Sequence, residues 1–304
     1  VLPIGKLYEL NHSGLMIPSI QRDYKWGPGH QEKDDLNSAA YVFLEDMLDF
    51  YKLRSQDDIY FTGTMIVFEE SGEPRTQLMD GQQRWTTITA LTSIIRYIIL
   101  KSNDSTKYQQ IIDDIEERFL TLPNGENFLT SRKISDRRTL KFIVNITEDL
   151  TLRELPDSFK NVFEFKRDDI SYKGTALNST ICYFLNKLKT RFQIAGPFSE
   201  IEDLISFYEC FRDNVYINYS HTKSPTLAYK MFVTANSRGT PLNNFDVFRG
   251  LVLANNRINN YGAEELLQTD LDDTDKILQE LFSTKKDFAK AIDQAMSNAL
   301  TILM

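Results

Sequence analysis

A chain of 304 residues, 41% hydrophobic and 26% charged, is long enough for two domains or one large one and too apolar to be disordered throughout. Its formal charge of -8 excludes a protein coated in positive potential, so any nucleic-acid contact needs a local basic patch. Cys182 and Cys210 stand far apart with no metal-ligand spacing. The longest apolar stretch, Ile88 to Leu100, is broken by Arg96 and too short to span a bilayer. With no leader visible, the expectation is two thiols in a reducing, cytoplasmic setting and no membrane partner.

Along the chain, Leu2 to Leu10 reads as an edge strand entering a loop at Asn11-His12-Ser13-Gly14. A polar-aromatic string, Ser19 to Trp26, follows, and Gly27-Pro28-Gly29 ends it and begins a mobile loop. Ala39 to Leu53 carries Val42, Phe43, Met47, Leu48 and Phe50 at helical spacing. Tyr60 to Phe68 and Gln77 to Met79 read as strands flanking a hairpin turn at Glu69 to Pro74. A helix from Thr86 to Leu100 is expected to turn one stripe, Trp85, Ile88, Leu91, Ile95 and Ile98, toward a core.

Beyond residue 100 the texture is helical, with Lys107 to Leu120, Ser179 to Phe192, Glu200 to Phe211 and Pro225 to Asn255 the clearest helices and Phe211 to Tyr219 one further strand. The expected class is α+β: a small mixed α/β domain over 1–100 and a mainly helical domain over 101–304. No repeat or low-complexity segment is visible.

Three polar clusters sit against apolar segments. The second is the most informative: Asp80-Gly81-Gln82-Gln83-Arg84 joins a strand to a helix, with Gly63-Thr64 on the strand before it. A helix start and a planar guanidinium can converge on a phosphate. Gly81 lets the backbone approach a ligand. Arg84 can bond two phosphate oxygens, and Gln82 and Gln83 supply neutral donors for a phosphate or a base edge. Asp80 can hold Mg²⁺, orient a ribose hydroxyl, or simply cap the helix with Arg84 paired to it. The first cluster, Gln21-Arg22 with Tyr24 and Trp26, is compatible with a surface turn on an aromatic anchor. In the third, Asn236-Ser237-Arg238-Gly239-Thr240-Pro241, Gly239 and Pro241 suit an ordinary helix stop and restart, whereas Asn236 and Arg238 are not required by one.

Taken together, Ile17-Pro18-x-x-Gln21-Arg22-x-Tyr24-x-Trp26, Asp80-Gly81-Gln82-Gln83-Arg84 and Phe232-x-x-x-Asn236-x-Arg238-Gly239-x-x-Leu242-x-x-x-Asp246 resemble, in order and spacing, the three signature blocks of the GmrSD-type restriction proteins. The resemblance implies a head related to the ParB and sulfiredoxin fold, in which Gly81-Gln82-Gln83-Arg84 forms a phosphate-holding Gly-x-x-Arg turn. It implies a nucleoside triphosphate as ligand and action against modified phage DNA. By that carry-over Arg22 and Arg84 grip phosphates, Asp80 positions metal or nucleotide, and Asn236 and Arg238 close the site from the helical part. Asp80 and Asp246 are the candidates for holding a hydrolytic water.

Two departures from the family pattern stand out. Val233 follows Phe232 where relatives usually carry an acidic residue. None of His12, His30 and His221 begins the His-x-x-Pro of the nuclease domain found in longer members; Pro225 lies one place too far from His221. A nuclease domain or subunit outside this chain is therefore an expected partner.

Other chemistries find little footing: no Gly-x-x-x-x-Gly-Lys-Ser/Thr loop and no convincing nucleophile with a histidine. For DNA, the densest basic cluster is Arg132-Lys133 with Arg137, Arg138 and Lys141, although charge runs on helices are more often solvated faces. The function expected is an NTP-binding and NTP-hydrolysing regulatory module of a modification-dependent restriction system, with Mg²⁺. The alternative is a sensor that binds a nucleotide or modified base without turnover.

Overall fold

A computed structural model describes residues 1–18, 21, 24–27, 38–132, 134–145 and 176–236, with isolated positions 270, 273, 274 and 277. Arg22, Lys133, Arg238 and Asp246 lie outside the described residues, as do the side chains of Arg138 and Asn236, the loop expected from Pro28, and the expected helix beyond Asn236.

Short apolar runs build a six-stranded mixed sheet from β1 (Leu2–Pro3), β2 (Leu15–Ile17), β3 (Tyr60–Phe68), β4 (Thr76–Asp80), β5 (Leu129–Ser131) and β6 (Val215–Thr222), in the order β1-β6-β3-β4-β2-β5. β3 and β4 form the expected antiparallel hairpin, closed by Gly72 at φ 82°. β6 lies parallel to β3, pairing Thr64 with Asn218 through Phe68 with Thr222. β2 lies parallel to both β4 and β5. The sheet thus takes strands from both sides of residue 100.

Side chains on the two faces of each strand go to different places, as a period of two requires. Met65, Val67, Leu78, Val215 and Ile217 enter the main core. Ile66, Phe68 and Met79 face the other way, under Ala228 and Tyr229 of the last described helix (Pro225–Asn236). The main core is filled by α2 (Ala39–Leu53), α3 (Gln82–Leu100), α4 (Gln109–Ile115), α5 (Ile134–Val144), α6 (Ala176–Arg191) and α7 (Glu202–Asn214), following a one-turn α1 (Leu7–Leu10); the helix on the opposite face is α8. The class is α+β, as its sequence indicates.

Three expectations are corrected. Leu2 to Leu10 is strand for only two residues, and then winds through a 3₁₀ turn into α1. Pro3 cannot extend a hydrogen-bonded ladder, and the Asn11 amide donates to the Leu7 carbonyl at 2.9 Å, holding the helical end. The strand expected from Phe211 starts only at Val215, because α7 runs on to Asn214. Lys107 to Leu120 is not one helix: a 3₁₀ turn leads into α4, which widens into a π turn (Glu116–Leu120) where the Thr121 N–H reaches the Glu116 carbonyl five residues back at 2.8 Å.

The largest difference lies in α3, which is buried on every side rather than along one stripe. Three of its threonines, Thr87, Thr89 and Thr92, turn their hydroxyls back onto the carbonyls of Gln83, Trp85 and Ile88 at 2.8, 3.0 and 2.9 Å, whereas the Thr86 and Ser93 hydroxyls are buried with no partner among the described residues. Each fully buried Ile or Leu of α3 contributes about 1.5–3 kcal/mol relative to exposure. The helix is the axis of the core, and its first turn is the candidate site. Among the described residues no helix is long and apolar enough to cross a membrane. Cys182 and Cys210 are free thiols, and burial raises both pKa values.

Candidate functional site

The β4–α3 junction turns on Gly81, whose φ of 93° an L side chain rarely adopts. The Gly81 N–H donates to Asp80 Oδ1 at 2.7 Å, and the Trp85 N–H to the Gly81 carbonyl at 2.8 Å. Gly81 itself is the N-cap of α3, so the helix receives no side-chain cap and Asp80 stands just outside it. A helix start concentrates partial positive charge from backbone N–H groups that lack intrahelical acceptors.

Arg84 is held by an irregularity in the neighbouring strand. The β3–β6 register shifts between Phe61 and Thr64, and Gly63 there has φ 111°. This turns the Thr64 carbonyl to accept from Arg84 Nη1 at 2.7 Å. A Cβ on Gly63 would lie 2.7 Å from Arg84 Nη2, so the strand needs glycine for both its backbone angle and the space it leaves. Arg84 Nε is buried without a hydrogen-bond partner among the described residues, and the guanidinium carbon lies 5.8 Å from the centre of the Trp26 ring.

Neither charge at the turn is well compensated. Burial raises the Asp80 carboxyl above its ordinary value, and the Gly81 N–H and the Arg84 charge only partly offset this. Burial likewise lowers the Arg84 guanidinium, partly offset by Asp80 and Tyr60; it remains a cation at neutral pH. Because the folded pKa of Asp80 is raised, the penalty for its charge is absent below the unfolded value and grows as pH rises through the folded one. Asp80→Asn, which keeps an oxygen for the Gly81 N–H, is expected to raise the melting temperature at pH 7. In thermal scans that gain should shrink as pH is lowered toward 4.

The first and second clusters converge. Gln21 donates through Nε2 to the Met79 carbonyl at 2.5 Å, beside Asp80, and the Lys25 N–H donates to Gln83 Oε1 at 2.7 Å. Gln21, Gly63, Asp80, Gly81, Gln83 and Arg84 therefore meet at one end of β3 and β4, with Gln82 buried in the first turn of α3. The third cluster begins at the end of α8, where Phe232 packs against the Ile66, Phe68 and Met79 group on the outer face of that strand pair. For metal, Asp80 is the one expected ligand, and the described residues contain no group of three or more His, Cys, Asp or Glu that would hold an ion.

Two residues of the basic cluster, Arg132 and Arg137, are engaged within the protein. Arg132 pairs with Glu70 at 2.6 Å and Glu73 at 3.1 Å of the β3–β4 hairpin, and Arg137 donates to the carbonyls of Ser131 and Arg132 at 2.9 and 3.2 Å. Lys141 is exposed. A cavity of about 330 Å³ lies elsewhere, lined by His12, Arg75, Asn124 and Glu126 near the start of β4.

The place of Trp26 beside Arg84, the Thr64 carbonyl as an acceptor, and Tyr60, whose phenol bonds Asp46 at 3.1 Å, are not signalled by residue patterning. Tyr24 and Trp26 were visible as aromatics flanking Gln21-Arg22. A carbonyl such as that of Thr64 leaves no trace in residue identity.

Across residues 4–253 the chain matches the model of the GmrSD restriction endonuclease N-terminal domain. It belongs to that family, and so to the components of restriction, phage-defence systems. No curated protein matches it at a comparable standard.

Proposed function

We propose that the Asp80–Arg84 turn binds a nucleoside triphosphate with magnesium, and that hydrolysis there regulates a nuclease supplied outside this chain. The supporting observation is Arg84. A largely buried guanidinium at a helix start, whose one described hydrogen-bond partner is a neutral carbonyl, suits an anion. Asp80 suits magnesium in the same way, since that ion commonly takes one or two protein carboxylates and completes its shell with water and phosphate. When bound, magnesium would neutralise charge on the phosphates.

The remaining roles belong to side chains. Arg84 and Arg22 bind phosphate oxygens, Gly81 admits them close to the backbone, and Gln82 with Asn236 and Arg238 completes the polar wall. Asp80 or Asp246 orients the attacking water, and the arginines oppose the charge that develops. DNA, with modified bases as the restriction context suggests, is the partner whose engagement the nucleotide state controls. Lys133, Arg138 and Lys141 are the basic positions offered to its backbone.

Calorimetric titration of the four triphosphates with magnesium, with phosphate release measured with and without DNA, tests this reading. Binding with release supports it. Binding without release replaces hydrolysis by a sensor role, and no binding of any triphosphate overturns the proposal.

A further inference from the structure

We propose that Trp26 is a positioning residue for the Arg84 guanidinium and that the strap Tyr24–Gly27 is built to hold its indole in place. The inference rests on the phosphate reading of Arg84 only for the identity of the ligand; the contact itself is independent of it.

The strap is fixed to three helices. The Tyr24 hydroxyl shares a hydrogen bond of 2.8 Å with Thr87 of α3 and lies 3.5 Å from Thr180 of α6. Burial pushes the Tyr24 pKa up to about 12 against the lowering effect of both hydroxyls, so the phenol stays neutral at neutral pH. The Lys25 N–H is tied to Gln83, and the Trp26 carbonyl accepts from the Ala40 N–H of α2 at 2.9 Å. Gly27 runs so close to α6 that a Cβ would stand 2.0 Å from the Ala176 carbonyl oxygen.

Trp26 also packs against the main core, with a tilted contact to Phe43 at 6.4 Å, but packing alone does not require its backbone and both neighbours to be tied to three helices. Such anchoring is what a side chain needs when its ring must sit at a set distance from something else. That something is the guanidinium 5.8 Å away.

The choice of an aromatic ring has a chemical reason. A carboxylate would also immobilise Arg84, but it would neutralise the charge and occupy the N–H donors that grip an anion. The face of an indole attracts the cation without consuming a donor. With Nη1 fixed on Thr64 and the plane limited by Trp26, the remaining edge of the fork is presented in one orientation. Much of the rotamer entropy an arginine loses on binding is then already lost.

The test uses the full chain. Trp26→Leu is expected to weaken magnesium-ATP binding about 5- to 10-fold, while Trp26→Phe, which keeps a π face, stays within about twofold of the parent. Independently, 5-fluorotryptophan labelling gives one resonance for each of the two tryptophans, and Trp26→Phe identifies the relevant one. Arg84→Ala is expected to shift that resonance without any nucleotide present.

If the parent binds magnesium-ATP and Trp26→Leu binds it equally well, the inference is overturned while the proposed function stands. If the parent binds no triphosphate, the proposed function falls and the ligand-free spectrum decides. A Trp26 resonance that Arg84→Ala leaves unmoved overturns the inference, and a shifted one supports it.

Discussion

Arg84→Ala is expected to lower magnesium-ATP affinity by about 30- to 150-fold, the equivalent of losing charge-assisted hydrogen bonds of about 2–3 kcal/mol. Stability should change little. The substitution removes one bond to the Thr64 carbonyl and at the same time relieves a charge whose burial is poorly compensated. Arg84→Lys separates charge from geometry: it keeps the cation but loses the planar fork, and should recover only part of the affinity. Titration calorimetry on the three proteins, with melting temperatures alongside, makes the comparison. Equal affinity in all three would remove Arg84 from the site.

The largest expected loss of stability lies elsewhere, at Asp114. This carboxylate of α4 accepts from Arg118 Nε at 2.5 Å, from the Tyr208 hydroxyl at 2.7 Å and from Arg212 Nη1 at 2.9 Å, while Arg118 also reaches the Gly5 carbonyl at 2.9 Å. One acid thereby ties α4 and its π turn to α7 and to the start of the chain. Asp114→Ala leaves two guanidinium groups and a buried phenol without their shared acceptor and is expected to cost about 3 kcal/mol, or roughly 6–12 °C in melting temperature.

Burial alone would raise the Asp114 carboxyl, but the hydrogen bonds from Tyr208, Arg118 and Arg212 outweigh it and the net shift is downward. A depressed folded pKa means that the stability it contributes is present above the unfolded value and is lost as pH falls through the folded one. The gap between parent and variant should therefore be full at pH 7 and close on acidification below about pH 4, near the ordinary aspartate value. A pH series of thermal scans checks the sign.

The second cluster was the most legible part of the chain because its chemistry is local. A strand, a glycine and a helix start adjoin in sequence, and Asp80 to Arg84 needed no distant residue to suggest a phosphate turn. Ala39–Leu53 and Tyr60–Phe68 were readable to the residue, the first from its helical period and the second as an apolar run bounded by turn residues. The interior character of α3 was hidden by its threonines, three of which bond their hydroxyls to the helix's own carbonyls. The role of Trp26 was hidden for a different reason. It depends on a strap folding back between α2, α3 and α6, and sequence patterning does not record which helices a short irregular segment touches. The Arg132 region looked open to DNA because the acids that answer it, Glu70 and Glu73, sit some sixty residues earlier on a hairpin tip.

The place of β6 between β1 and β3 has a consequence for how the protein is made. β3 bears Gly63 and the Thr64 carbonyl that holds Arg84, yet one of its edges stays bare until Val215–Thr222 has been synthesised and can slot in beside it. A ribosome would hold a long apolar strand with an open edge for well over a hundred codons, the kind of exposure that invites pairing with the wrong chain. Fragments that stop near residue 100 retain the Asp80–Arg84 turn but carry that open edge permanently. They should be recovered as aggregates or in complex with chaperones, whereas fragments extended past Thr222 have the strand needed to close it.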